Sequence, residues 1–204
     1  MKIHLHKNDL PDDVRLGNVV AIDTEAMGLR PHRDRLCLVQ LSAGDGVCHL
    51  VQFPDKAYEG AQNLKRLIED QNVTKLFHFA RFDAMILFHS LGVMPTPLYC
   101  TKIASKLIRT FTEKHSLKDL CKDLLKVEIS KQEQTSDWGA QDLNPDQLRY
   151  AATDVLHLHA LKAKLDELLI RENQMDLAQA CFSFIPARAK LDLTAGEEFD
   201  IFHH

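Results

Sequence analysis

The chain has 204 residues, of which 45% are hydrophobic and 26% charged. This is enough for one sizeable core and excludes a disordered or fibrous chain. The formal net charge of −4 leaves no general basic excess, and no window approaches the roughly 18 uninterrupted apolar residues of a membrane span.

The polar start MKIHLHKNDLPDD does not read as a signal peptide. Within it KIHLH (2–6) alternates and predicts a first edge strand. NVVAIDTEAM (18–27) predicts a central strand. RLCLVQLSA (35–43) and GVCHLVQF (46–53), joined through Gly44, Asp45 and Gly46, predict a β-hairpin. Residues 60–71 have the apolar spacing of a surface helix, and VTKLFHFA (73–80) predicts a further strand leading into the helix RFDAMILFHSL (81–91). Pro95 and Pro97 interrupt the chain before PLYCT, which runs into the helix KIASKLIRT. HSLKDLCKDLL (115–125) predicts a helix capped by Ser116, with Asp119 in the capping-box position. After the polar loop KQEQTSDW (131–138), Asn144 and Pro145 open a long helix to about Arg171. A last helix covers residues 175–191 and ends near Pro186 or beyond, and residues 192–204 are expected to form a C-terminal tail. No repeat or linker divides the chain, so a single domain over 1–204 is expected: α/β, with a mixed sheet and an antiparallel hairpin.

The five cysteines (Cys37, Cys48, Cys100, Cys121, Cys181) are scattered and form no CxxC. They fit a reducing cytoplasm and offer neither a zinc site nor a disulfide framework. His157 and His159 are two apart on a helix and cannot readily face one ion. His4 and His6 share a strand face, but the sequence shows them no third ligand. Nothing here makes a Walker loop, a GxGxxG turn or a local Ser-His-Asp signature.

Four acids and a tyrosine stand out. Asp23 and Glu25 follow the apolar run Val19 to Ile22, and at i and i+2 on a strand their carboxylates project side by side. Asp83 opens a helix, where by itself it reads as an acid favoured by the helix dipole. Tyr150 and Asp154 are one helical turn apart, and Asp154 has Ala151, Ala152, Val155 and Leu156 around it, a costly setting for a carboxylate without a cation. Acids converging near a core repel one another unless cations neutralise them, and oxygen-only ligation suits Mg2+ or Mn2+.

In order, D-T-E, F-D and Y-A-A-T-D resemble the three motifs of the DEDD exonuclease superfamily in its tyrosine-containing branch, the ribonuclease D-like group. The resemblance spans roughly residues 18–165, and KQEQTSDW is similar to the stretch before that group's third motif. The compact chain, and DTEAMGLRPHRDRLCLVQLSAGDGVCHL in particular, resembles the small nano-RNase branch, which lacks the extra nucleic-acid-binding domains of ribonuclease D. The resemblance implies a ribonuclease H-like fold, a mixed sheet flanked by helices. It implies 3′→5′ hydrolysis of dinucleotides and very short RNAs to nucleoside 5′-monophosphates. It also implies two divalent ions, Mg2+ or Mn2+, and a cytoplasmic homo-oligomer, with a ring-shaped octamer as the expected form. Asp23 is then expected to bridge both ions, Glu25 and Asp154 to complete the water-activating one, Asp83 to position the other, and Tyr150 to orient the attacking water.

For the substrate, the stretch Ala26, Met27, Gly28, Leu29 is expected to meet the terminal sugar through its backbone, with Leu29 as a wedge between the last two bases. As plain residues, Met27 and Leu29 would be turn or core side chains. His78 and Phe79 are expected to line the same cleft, Phe79 by stacking on a base, with a buried structural role the alternative. Lys131, Gln134 and Ser136 suit phosphate contact, while Trp138 reads as a packing anchor. The mild acidity favours short or single-stranded substrates over long duplexes. The competing readings are a broader exonuclease acting on longer RNA or DNA, and a silent oligomeric nucleic-acid-binding module, which would be expected to have lost one of the acids.

Overall fold

In the computed structural model, residues 1–129, 136–196 and 198–203 are described. Among them, one mixed sheet has the order β1-β4-β3-β2-β5-β6. Its strands are β1 Lys2–Lys7, β2 Val19–Ala26, β3 Leu36–Ser42, β4 Val47–Gln52, β5 Thr74–Phe77 and β6 Leu98–Cys100. β2, β3 and β4 are antiparallel neighbours, whereas β1 joins β4, β5 joins β2 and β6 joins β5 in parallel. The expected edge strand and hairpin are both present. At the hairpin turn Gly44 and Gly46 have φ of +80 and +84, a region open to glycine, and a Cβ on Gly44 would fall 2.7 Å from the His159 ring.

The helices are α1 Gln62–Glu69, α2 Ala80–Leu91, α3 Thr101–Ile108, α4 Leu117–Leu120, α5 Pro145–Leu156, α6 Leu158–Arg171 and α7 Met175–Ala195. Ser116 caps α4 as expected, accepting from the Asp119 N–H, and α4 widens into a π turn over Cys121–Leu125. α5 packs across β2, β3 and β4, while α2 packs on β3, β5, β6 and α7. The core between them is filled by fully buried Ile22, Leu38, Leu41, Leu76 and Phe77.

Two boundaries differ from the sequence expectation. The helix expected from Asn144 to Arg171 is interrupted at His157. Neither Gly nor Pro marks the place; beside it His159 Nε2 lies 3.0 Å from the Val19 carbonyl, a tertiary contact without a local signal. The segment expected to be tail from residue 192 begins inside α7, which runs through Pro186 to Ala195. Burial of Phe182, Ile185 and Ala189, and the tie of buried Asp192 to Arg81 and Arg188, offset the hydrogen bond that the proline removes.

Candidate active site

A mismatch of strand lengths creates the site. β5 accompanies β2 only from Val19↔Thr74 to Ala21↔Leu76. Beyond that point β2 runs on alone on that side, carrying Asp23, Thr24 and Glu25 past the carboxyl end of β5, where ligand crevices of α/β sheets form. A register shift between Glu25 and Ala26 ends the regular pairing with β3 on the other side.

Asp23 and Glu25 face α5. Asn144 and Gln147 close a capping box and Pro145 occupies the first turn, fixing the helix start so that Tyr150 and Asp154 look back at the strand. Carboxylate oxygens of Asp23, Glu25 and Asp154 all lie within 4.8 Å of one another. Thr24 points to the opposite face, and its hydroxyl donates to Asp83 Oδ1 at 2.7 Å, so Asp83 arrives from α2 on the far side of the strand. α2 is itself held by paired hydrogen bonds from Arg81 Nε and its guanidinium NH2 to Asp192, at 2.6 and 2.8 Å. The structure thus brings three of the four expected acids into one cluster and holds the fourth beside it. Tyr150 shares a hydrogen bond with Asp154, and its ring lies 6.1 Å from that of Trp138, which is buried as expected of an anchor.

The acids repel one another. Burial first, then the charges of Asp154 and Asp83, push Glu25 up to about 9. Asp23 is raised well above the carboxylate range by burial and then by Asp83, Asp154 and Glu25. Burial raises Asp83 to about 7 against the opposing Thr24 hydrogen bond. Burial and the neighbouring carboxylates raise the Tyr150 phenol too, so it stays protonated. A cluster of anionic oxygens that binds protons for want of positive charge fits a hard divalent cation such as Mg2+ or Mn2+.

This has a consequence for stability. Because the folded carboxylates have raised pKa values, the metal-free cluster holds more protons than the same residues in the unfolded chain between the ordinary carboxylate range and about pH 9. The cluster's contribution to stability must therefore fall as pH rises through that window, opposed below about pH 7 by His6, His49, His89 and His157, whose pKa values burial lowers. In chelator, the melting temperature is expected to drop from about pH 7 towards about pH 9, and Mg2+ or Mn2+ should restore most at the alkaline end. A melting temperature independent of both pH and metal would contradict the cluster's electrostatics.

A cleft of about 300 Å³ opens over the acids, lined also by His78, Phe79, Lys102, Ser116, Leu117 and Tyr150. A second lobe of about 320 Å³ lies on the Asp83 side, lined by Leu29, Arg81, Phe82 and Met85, and shares Asp23, Thr24, His78 and Phe79 with the first. Phe79 is 45% exposed and Leu29 72%, and Met27 is also exposed, so none of the three is core. Phe79 has φ +69, costly for a bulky side chain, and this αL residue starts α2. His78 Nδ1 lies 2.9 Å from Thr101 Oγ1. The Met27 N–H is committed to the Arg35 carbonyl at 3.0 Å, so that group does not face the cleft freely. At Gly28 a Cβ would fall 2.3 Å from Asp34 Oδ2, which explains glycine there without a ligand. Ser136 is half-buried, and its carbonyl accepts from the Trp138 N–H; Lys131 and Gln134 lie outside the described residues.

Sequence reasoning missed Thr24, Gln40 and Lys102. Gln40 stands across from Asp23 in the β2–β3 register, fully buried, with its amide nitrogen 3.5 Å from Asp23 Oδ2. A glutamine inside the apolar run LCLVQLS was a visible signal. Lys102 Nζ sits 4.2 Å from the centre of the Phe79 ring, a contact made only by folding.

Comparison with known proteins points to one family. The sequence profile of the 3′-5′ exonuclease family matches residues 7–170. Ribonuclease D of Gluconacetobacter diazotrophicus is 36% identical over 160 residues, 77% of this chain and 39% of that protein. The chain thus spans about two-fifths of the length of the first curated relatives it matches. Among solved structures, Brucella melitensis NrnC bound to pGG superposes with a TM-score of 0.96 at 52% identity, covering 100% of this chain and 99% of that one. The same protein with bound Mg2+ gives 0.93 at 50% identity, covering 100% of each.

Proposed function

The chain belongs to the 3′-5′ exonuclease family, and on that premise we propose that it is a metal-dependent exoribonuclease that converts dinucleotides and very short RNAs into nucleoside 5′-monophosphates. The observation that carries this reading is the two-lobed cleft, about 300 and 320 Å³, whose lobes meet at Asp23. Two small lobes suit two nucleotides with the scissile phosphate between them. The likeness to a protein solved with pGG supports the same choice.

Asp23, Glu25 and Asp154 would hold one divalent ion, and Asp23 with Asp83 a second. Bound there, Mg2+ or Mn2+ would supply activation of the attacking water and stabilisation of charge on the phosphoryl and leaving oxygens. The rest falls to the chain. The Tyr150 hydroxyl, kept protonated by burial and its acidic neighbours, orients the water by hydrogen bonding. Exposed Phe79 stacks on a base while Lys102, beside it, meets a phosphate. Leu29 projects into the second lobe as the wedge, and Ala26, Met27 and Gly28 approach the terminal sugar through backbone groups other than the committed Met27 N–H. Ser136, with Lys131 and Gln134, keeps its proposed phosphate role.

Assembly as a homo-oligomer, an octamer on the resemblance, is supported by exposed Ile170, Leu177, Phe184, Ile201 and Phe202 on the last two helices and the tail. All five cysteines are free, as a reducing cytoplasm would keep them. Among the described residues no helix is long and apolar enough to cross a membrane.

The test is turnover on 5′-labelled RNAs of two to about seven nucleotides with Mg2+ or Mn2+, beside Asp23→Ala. The dinucleotide is expected to turn over about tenfold or more faster than the longest strand, because it lies wholly within the two lobes, whereas a longer strand must order further nucleotides outside them to reach the same reacting geometry. Equal or faster cleavage of longer strands would return the chain to general exonuclease work. Absence of metal-dependent cleavage would favour the binding-module reading.

A further inference from the structure

Three imidazoles gather on the edge of the sheet, outside the acid cluster. His4 and His6 alternate along β1, and the parallel register pairs His4 with His49 of β4. The His49 ring lies 5.2 Å from that of His4 and 5.2 Å from that of His6, at interplanar angles of 18° and 10°. His6 Nε2 and His49 Nδ1 are 3.0 Å apart. A third histidine beside His4 and His6, invisible in the sequence, is supplied by strand pairing.

The register also separates this cluster from the catalytic one. Asp23 is level with Gln40, Gln40 with Leu50, and Leu50 with Leu5, so these residues share a face. His4 and His6 flank Leu5, and His49 precedes Leu50; all three therefore lie on the opposite face.

We propose that His4, His6 and His49 form a second cation site, selective for a borderline ion of the zinc class over Mg2+, with Asp13 as its anionic complement. His6 Nε2 and His49 Nδ1 share a hydrogen bond at 3.0 Å, which an ion would replace by parting the two nitrogens to the ~3.3 Å spanned by two tetrahedral ligands with Zn–N bonds of ~2.0–2.1 Å. The His4 ring lies 6.3 Å from that of His6 and stacked with it, so its side-chain torsions must turn for a third nitrogen to join, at the cost of a rotamer change. Asp13 acts electrostatically on both rings, and Asp45 on His49, so carboxylate charge lies near enough to favour a cation there. Imidazole ligation excludes the hard ion that the acid cluster prefers, so the two sites sort two metals. Such an ion would clasp β1, which among the described residues pairs with β4 alone, to the rest of the sheet.

The test is titration of the metal-free full chain with Co2+, whose visible absorption is intense in a four-coordinate imidazole site and weak in an octahedral carboxylate site. One saturable equivalent of intense absorption is expected. It should persist in Asp154→Asn and in a chain without His203 and His204, and be lost in His49→Gln. His49→Gln should keep its Mg2+-dependent turnover, and His6→Gln serves as a second variant should His49→Gln fail to fold. An absent band, or one lost in Asp154→Asn or with the terminal histidines but kept in His49→Gln, would overturn the site.

Discussion

Asp154→Asn is expected to lower kcat on a dinucleotide by about 10³-fold or more, the equivalent of ~4 kcal/mol of transition-state stabilisation. The substitution is nearly isosteric, yet it removes one of the three charges within 4.8 Å of one another and halves the oxygens offered at that position. Mn2+ affinity, read by calorimetry, should fall with the rate. Stability should move the other way. Asp154 is among the charges that raise Asp23 and Glu25, so the variant in chelator should melt higher than the parent at alkaline pH and lose its response to metal. A merely structural carboxylate would show the reverse, a lower melting temperature at unchanged kcat. Retention of parental kcat would sink the reading of Asp154 as a ligand.

Why this much is legible in the sequence is a matter of periodicity. Asp23 and Glu25 lie two apart on a strand, Tyr150 and Asp154 four apart on a helix, and both spacings place side chains on one face by local geometry alone. The hairpin was readable for the same reason, since its two glycines sit where positive φ is needed. What stayed hidden depends on contacts between segments far apart in the chain. Thr24 reads as a spacer in D-T-E until α2 arrives on the other face and Asp83 needs a donor. Lys102 is one lysine among many on a helix surface until Phe79, in αL conformation, swings its ring beneath it. His49 becomes a partner of His4 only through a parallel pairing that the sequence does not announce. The continuation of α7 past Pro186 likewise rests on Asp192, whose partner Arg81 is 111 residues away. Local rules located the acids; tertiary contacts decide which neighbours serve them.

Tyr150→Phe should separate ion binding from chemistry. The phenol holds no formal charge at working pH, because burial and the carboxylates of Asp154, Glu25 and Asp23 all oppose its ionisation. Its contribution is therefore a hydrogen bond from a neutral hydroxyl. Removing that oxygen leaves the ring against Trp138 and all four acids in place. Metal affinity is expected to change by no more than about threefold, the worth of roughly one weak hydrogen bond. kcat is expected to fall by about 10²-fold, in the range lost when a group that positions a reacting proton is deleted. KM should move little, since no substrate contact is assigned to the hydroxyl. The pH dependence of the residual rate decides between two roles. If Tyr150 orients the water, the profile keeps its shape and only its height drops. If it acts instead through its hydrogen bond to Asp154, the loss of that donor raises the Asp154 pKa, shifts the acid limb to higher pH, and weakens metal binding in step with kcat. A parental kcat would exclude both roles and leave the tyrosine a packing residue.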